Sequence, residues 1–349
     1  MSGEELTEVR AAHRFDEAAL ARCLKHALPG FSDDLVVRQF EGGQSNPTFL
    51  VTSGSESRVV RKKPPGTLLP TAHMIEREHR VLSALQGSGV PVPRVDLLCE
   101  DASVIGTPFF VMQYVPGRIF LDPRLPGVDP AERRLLYEEM VRVLAALHAV
   151  DPARIGLADF GKPGNYFARQ IDRWSRQYQA ARTAHIASLE RLMEWLPKNI
   201  PPGDDVALVH GDYRMQNLIF HPTEPKVLAV LDWELSTLGH PLADVAYHCM
   251  PYRVAGPGHP GLGDEAGPLS GIPTESEHVR DYCRHAGRSG IESWSFYMSF
   301  SLFRSAAIIQ GVYKRGLDGN ASSTRAIALG ELVHVLGNTA WGMVENAPA

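Results

Sequence analysis

His210-Gly211-Asp212-Tyr213-Arg214-Met215-Gln216-Asn217, followed by Val230-Leu231-Asp232-Trp233-Glu234, is the stretch whose reading decides the fold. It supplies a carboxylate, an amide and a second carboxylate in that chain order. Phosphoryl transfer needs those groups: one carboxylate to accept the proton of an attacking hydroxyl, and an amide with a second carboxylate to hold Mg²⁺ against the phosphate charge. Asp212 is the candidate base, and Asn217 and Asp232 are the candidate metal ligands. Any one of the three alone reads as a turn cap or a strand end; the weight lies in their joint spacing.

The residues around them predict a local scaffold. Asp205 to His210 is a short apolar run, expected to be a buried strand that delivers Asp212 to a loop. Leu218-Ile219-Phe220 and Val227 to Leu231 flank the turn-rich His221 to Lys226, which predicts a hairpin with Asn217 at its entry and Asp232 at its exit.

The spacing H-x-D-x-x-x-x-N is that of the kinase catalytic loop. The chain resembles the aminoglycoside phosphotransferase-like branch of the kinase-like fold, which also contains choline and homoserine kinases. Protein kinases usually carry Arg where Gly211 stands, and Phe-Gly where Trp233-Glu234 stands, and the chain shows no Ala-Pro-Glu segment. A small-molecule hydroxyl is therefore the expected acceptor. The resemblance implies an α+β fold of two lobes: a small antiparallel sheet with one key helix over residues 1–115, and a mainly helical lobe over 116–349, joined by a hinge at 112–117.

Each part of an ATP site can then be sought upstream. Gly42, Gly43, Ser45 and Asn46 lie in a turn between Leu35-Val36-Val37 and Phe49-Leu50-Val51, where glycines let backbone N–H groups approach phosphates. Arg58-Val-Val-Arg61-Lys-Lys63 matches the strand that carries the phosphate-pairing cation, with Arg61 in that place and Lys62 expected to be solvated. Thr71 to Leu85 reads as a helix with Thr71 at its N-cap and Ile75, Val81, Leu82 and Leu85 turned to the core. Glu78 is the expected partner of Arg61, with Glu76 as competitor; the family's Arg-Glu-x-x-x-Leu-x-x-Leu pattern selects Glu78. Pro108 to Gly117 resembles the strand and hinge on which adenine stacks. There the resemblance implies Met112 at the back of the pocket, and the Gln113 carbonyl and Val115 N–H on the base edge.

Composition sets the class. The chain has 349 residues, 44% hydrophobic and 21% charged, enough to bury a sizeable core. A net charge of −5 argues against nucleic acid or anionic membrane as partner. Cys23, Cys99, Cys249 and Cys283 show neither zinc-site nor disulfide spacing and read as reduced core residues. The acidic N-terminus lacks an apolar signal region, so the expectation is a cytoplasmic enzyme. Phe15 to His26 reads as an amphipathic helix on the first lobe, and the uncharged run from Trp294, broken by Arg304, as a buried helix. Asp129-Pro130-Ala131-Glu132 predicts an N-cap with a capping-box Glu, opening a helix through Leu136, Met140, Val143, Leu144 and Leu147.

The glycine- and proline-rich loop 253–273 contains a formal G-x-G-x-x-G, Gly256 to Gly261, but its prolines remove N–H donors and it is no dinucleotide motif. Asp244 is expected to cap the next helix and buttress the catalytic loop. Arg304, in an apolar helix, is expected to pair with an internal carboxylate, or else to bind an acceptor anion. Arg169, Arg173 and Arg176 share one helix face; Arg169 and Arg304 are the substrate candidates.

A closer resemblance rests on Arg61-Lys-Lys-Pro-Pro-Gly66, Gly164 to Gln170, Leu231 to Gly239 and Leu302-Phe-Arg304. These are similar to the kinase domain found with acyl-CoA dehydrogenase-like proteins. That group is associated with phosphorylating hydroxyacyl-CoA thioesters, which implies Mg-ATP as donor and a hydroxyacyl-CoA as acceptor. Aminoglycoside, choline-like and sugar kinases are the alternatives, and a nucleotide-binding pseudokinase is the alternative of another class. An aminoglycoside, being a polycation, would want a carboxylate-lined pocket, for which Asp264-Glu265 and Glu275 to Glu277 are the acidic groups on offer. Oligomeric state has no signal in the sequence.

Overall fold

In a computed structural model the described residues are 6–41, 46–64, 74–255, 261–319 and 324–346. Two compact units form. One gathers Met1–Leu121, Ile155–Leu157 and Gln216–Ser236; the other gathers Asp122–Arg154, Ala158–Met215 and Thr237–Ala349.

The first unit is built on an antiparallel sheet of β1 (Leu6–Thr7), β2 (Val36–Phe40), β3 (Thr48–Ser53), β4 (Glu56–Lys62), β5 (Val95–Cys99) and β6 (Phe109–Gln113), in the order β1-β2-β3-β4-β6-β5. Along β3, Phe49 and Val51 are buried while their neighbours are half-buried, the period-two signature of a strand with one face on a core. Helix α1 (Glu17–Ala27) covers that face. Asp16 caps it by accepting the Ala19 N–H at 2.8 Å, and Leu20 and Leu24 pack with Phe49, Val51, Val60, Phe109 and Val111.

Helix α2 (Ile75–Ala84) starts later than the sequence predicts, with Met74 at its N-cap and no side-chain cap; Thr71 lies outside the described residues. The helix begins where its first apolar side chain, Ile75, becomes fully buried, and Val81, Leu82 and Leu85 follow it into the core as expected. Lys62 departs from expectation. Strand β4 runs between β3 and β6, so Lys62 is buried, with its ammonium 5.6 Å from the centre of the Phe15 ring. Burial lowers its pKa.

The predicted hairpin is present as β8 (Leu218–Phe220) and β9 (Val227–Val230), with Leu218 opposite Val230. Its outer edges are tied to the same unit. Val230 N–H donates to Pro91 O at 2.9 Å, and Arg118 and Phe220 exchange backbone hydrogen bonds at 2.8 Å. A Cβ on Gly117, next to that exchange, would lie 2.3 Å from Phe220 O and 2.4 Å from Ile219 Cγ2, so only glycine fits.

The second unit is mainly helical: α3 (Pro130–His148), α4 (Tyr166–Ala181), α5 (Ala187–Trp195), α6 (Pro241–His248), α7 (Glu275–Ala286), α8 (Trp294–Leu317) and α9 (Gly330–Glu345). Helix α8 is its core, buried from Phe296 to Ala307 and packed by α4, α6 and α9. Among the described residues no helix is long and apolar enough to cross a membrane. Asp129 caps α3 by accepting the Ala131 N–H at 2.8 Å, as predicted. The reciprocal capping box forms elsewhere, at α7 between Thr274 and Glu277. Glu277 is thereby structural, and Glu275 pairs with Arg253 and accepts from Trp294 Nε1, so neither stands as a free acidic lining.

The apolar run before the catalytic loop is β7 (Ala207–Val209), fully buried. It pairs with β10 (Thr237–Gly239), a three-residue strand too short to announce itself in sequence. Residues 256–260 of the glycine- and proline-rich loop 253–273 lie outside the described residues. The four cysteines are free, with Cys249 and Cys283 buried and Cys23 and Cys99 half-buried.

Candidate active site

Within the first unit, the charged groups singled out from sequence converge on Arg61. Its Nε lies 2.8 Å from Glu78 Oε2, its Nη2 lies 2.6 Å from Asp232 Oδ1, and Glu234 Oε2 stands 3.8 Å away. Strand β4 presents Arg61, α2 presents Glu78, and the end of β9 presents the other two. The competitor Glu76 pairs instead with Lys63. Burial opposes charge on Arg61, but Glu78, Asp232 and Glu234 outweigh it and raise its pKa. Glu78 is deeply buried, and that burial lifts its carboxyl to about 7 against the pull of Arg61, with Asp232 and Glu234 adding to the rise.

Asp232 is held in the left-handed region at φ 65° and ψ 62°, a conformation that costs a non-glycine residue about a kcal/mol or more. The 3₁₀ turn Trp233–Leu235 after it fixes the corner: Trp233 Nε1 donates to Val230 O at 2.9 Å, and Ser236 Oγ to Trp233 O at 2.6 Å. The backbone carbonyl of Asn217 accepts the Leu231 N–H at 2.8 Å, which sets the entry of the hairpin beside its exit. The amide of Asn217 and the carboxylate of Asp232 are hard oxygen donors and fit Mg²⁺, which is held by a few protein oxygens with phosphate and water completing its octahedron. Among the described residues no group of three or more His, Cys, Asp or Glu is arranged as a metal cage.

The other nucleotide candidates fall as follows. Asn46 is fully buried and donates to Glu234 Oε2 at 3.4 Å, so its side chain supports the corner that follows Asp232. Gly42, Gly43 and Ser45 lie outside the described residues. Met112 is buried at the end of β6, Gln113 closes the strand with its N–H on Arg94 O at 2.8 Å, and Val115 sits half-buried beyond it.

In the second unit, β7 leads into the catalytic loop and Asp244 holds that loop in place. Its buried carboxylate accepts the N–H of His210 at 2.6 Å and of Gly211 at 2.8 Å, and stands 3.4 Å from His148 Nε2. Burial works to raise its pKa, but His148, His210 and the Gly211 N–H hold it below the ordinary value. The buttressing role is as expected; the cap of α6 is not, because His240 Nδ1 takes the Leu242 N–H at 3.3 Å and leaves Asp244 one turn in. Gly211 has φ 83°, the left-handed conformation that explains glycine where protein kinases carry Arg.

Asp212 follows, half-buried. Tyr247 donates its hydroxyl to Asp212 Oδ1, and Arg214 Nε lies 3.3 Å from Oδ2. Neither residue was found from sequence; Tyr247 is three positions beyond Asp244 on α6, the spacing that puts both on one helix face. Arg304 is buried, but no carboxylate pairs with it among the described residues. It donates to the carbonyl of Gly211 at 2.8 Å, with its guanidinium 5.8 Å from the Trp174 ring centre and 5.6 Å from that of Tyr247. A helix dense in apolar residues offers no acid, so a carbonyl and two aromatic faces take the charge. On α4, Arg169 donates to Lys162 O at 2.6 Å and Arg176 pairs with Asp172, while Arg173 lies over Trp174. The expected basic face is thus partly neutralised.

Comparison with known proteins shows the family and the fold. The model of the phosphotransferase enzyme family matches residues 36–278. Mouse acyl-CoA dehydrogenase family member 10 is 49% identical over 336 residues, covering 95% of this chain and 31% of its own. The chain spans less than half the length of the curated relatives it matches. A crystal structure from Ralstonia eutropha, provisionally described as an aminoglycoside phosphotransferase, is 47% identical with a TM-score of 0.88, covering 96% of this chain and 100% of that one. The aminoglycoside phosphotransferase APH(4)-Ia, solved with AMP-PNP and hygromycin B, shares the fold at a TM-score of 0.61 and 16% identity, over 94% of this chain and 99% of its own. The fold is the α+β protein-kinase-like one, and the chain belongs to the phosphotransferase enzyme family, in the branch shared with acyl-CoA dehydrogenase family members 10 and 11.

Proposed function

We propose that the protein transfers the γ-phosphoryl group of Mg-ATP to a hydroxyl of a small molecule, with hydroxyacyl-CoA thioesters as the first acceptor class to test. The observation that carries this is the position of Arg61, 2.8 Å from Glu78 and 2.6 Å from Asp232. A cation tethered by a helix carboxylate and set beside a metal-ligating carboxylate is the arrangement that grips a nucleotide polyphosphate. Asn217 and Asp232 would hold the metal, whose bound charge neutralises the phosphate oxygens. Asp212 orients the acceptor hydroxyl and takes its proton as the new O–P bond forms and ADP leaves, a contribution of roughly 10²–10⁴-fold for a positioned base. The acyl-CoA class is supported by the likeness to acyl-CoA dehydrogenase family members 10 and 11.

An aminoglycoside acceptor is the second reading, favoured by the description of the Ralstonia structure. Against it stands the structural use of Glu275 and Glu277. The test is ADP release from Mg-ATP over a panel of hydroxyacyl-CoAs, sugars, amino alcohols and aminoglycosides. Hydroxyacyl-CoAs should accelerate release well above the acceptor-free rate. Acceleration by aminoglycosides alone would transfer the assignment to the second reading, and nucleotide binding with no turnover on any acceptor would make the chain a pseudokinase.

A further inference from the structure

Tyr247 and Arg304 both contact the loop that carries Asp212. Tyr247 lies on α6 and its hydroxyl donates to Asp212 Oδ1. Arg304 comes from α8, donates to Gly211 O at 2.8 Å and lies 5.6 Å from the Tyr247 ring centre. Trp174 of α4 stacks on Arg304 at 5.8 Å. The guanidinium thus touches both the backbone before Asp212 and the ring that holds its carboxylate.

We propose that Tyr247 and Arg304 act as a coupled pair of positioning residues for the base, a role that rests on the reading of Asp212 given above. A carboxylate on a free χ2 torsion turns readily, and one oxygen must point at the acceptor hydroxyl for proton transfer. The Tyr247 hydroxyl holds Oδ1 while Arg214 Nε stands 3.3 Å from Oδ2, so Tyr247 is one of the contacts that set the carboxylate's orientation. Arg304 fixes the two supports on which this depends, the Gly211 carbonyl by a hydrogen bond and the Tyr247 ring by its face. The ring hydroxyl stays protonated, because burial in the first place and the Asp212 charge in the second raise its pKa, so it remains a donor. A buried arginine in an apolar helix is costly to keep, and serving two supports at once accounts for its presence better than one carbonyl would.

The experiment measures acceptor-free Mg-ATP hydrolysis by the whole chain carrying Tyr247→Phe, Arg304→Lys or both, with Asp212→Asn as reference. Phe keeps the ring under Arg304, so Tyr247→Phe removes the hydroxyl alone. The expected result is a fall in kcat of about tenfold or more with the KM for Mg-ATP unchanged, in keeping with the sensitivity of rate to sub-ångström misplacement. Lys keeps the charge but not the planar fork, and Arg304→Lys should lower kcat alike. The double variant should be little worse than the poorer single one, because coupled residues are non-additive. Unchanged kcat in Tyr247→Phe, additive losses, or a loss seen equally in KM and thermal stability would each overturn the pairing while leaving the phosphotransferase reading intact. Normal hydrolysis by Asp212→Asn would overturn both the pairing and the role of Asp212 as base.

Discussion

Asp244 reaches back to Gly211, accepting its N–H at 2.8 Å from a carboxylate that is 1% exposed. With the His210 N–H on its other oxygen, it closes the turn into the catalytic loop much as a capping residue closes a helix. Asp244→Asn should cost about 2–4 kcal/mol, since one buried N–H would then face an amide donor instead of an acceptor. Urea unfolding followed by fluorescence measures it; a loss below about 0.5 kcal/mol would show that the loop holds itself.

Asp232 and Asp212 should fail differently. Asp232→Ala removes the proposed metal ligand and one of the partners of Arg61 together, and calorimetry should show Mg-ATP affinity weakened at least tenfold, about 1.4 kcal/mol. Nucleotide affinity in Asp212→Asn should stay within about twofold of wild type, because a base for the acceptor does not hold the donor. Equal losses of affinity in both variants would contradict the division of roles.

Stability should fall in acid through a buried histidine pair. His248 Nε2 and His278 Nε2 lie 2.9 Å apart. Burial above all lowers His248 to about 4, and burial with the neighbouring His248 and Arg134 puts His278 well below its ordinary value. The unfolded histidines titrate near 6.5, so below that pH the unfolded chain binds protons that the folded one refuses. This contribution is complete above pH 6.5 and is lost as pH falls toward 4, at about 1.4 kcal/mol per pH unit for each histidine. His278→Gln should flatten the dependence of unfolding free energy on pH between 6.5 and 4 by about one proton; an unaltered slope would exclude the pair as its source.

Gly117→Ala should destabilise the first unit, since its methyl would sit 2.3 Å from Phe220 O. A cost of about 1–3 kcal/mol is expected for such overpacking. A thermal midpoint equal to wild type would mean that the Arg118 to Phe220 exchange yields without penalty.

Much of the fold was legible because it depends on local patterns. The Asp129 cap, the apolar spacing of α3 and the β8–β9 hairpin each follow from a few neighbouring residues. Lys62 was misread because strand order, which makes β4 interior, is set by pairing with β6 about fifty residues away. The α6 cap was misread because His240 and Asp244 are both competent acceptors, and only the position of the buried loop N–H groups assigns one to each task.

The sequence by itself determined which groups the chemistry would draw on: a base, an amide and a carboxylate at fixed spacing, and an Arg with a Glu on the following helix. Their types and order follow from short-range constraints that the chain carries wherever it folds. Tertiary structure alone decided that Arg61 meets Asp232 as well as Glu78, that Asp244 braces His210 and Gly211, and that Arg304 lies against a carbonyl and two rings. Those partners are remote in the chain, and a buried charge takes whichever compensating group packing brings within reach.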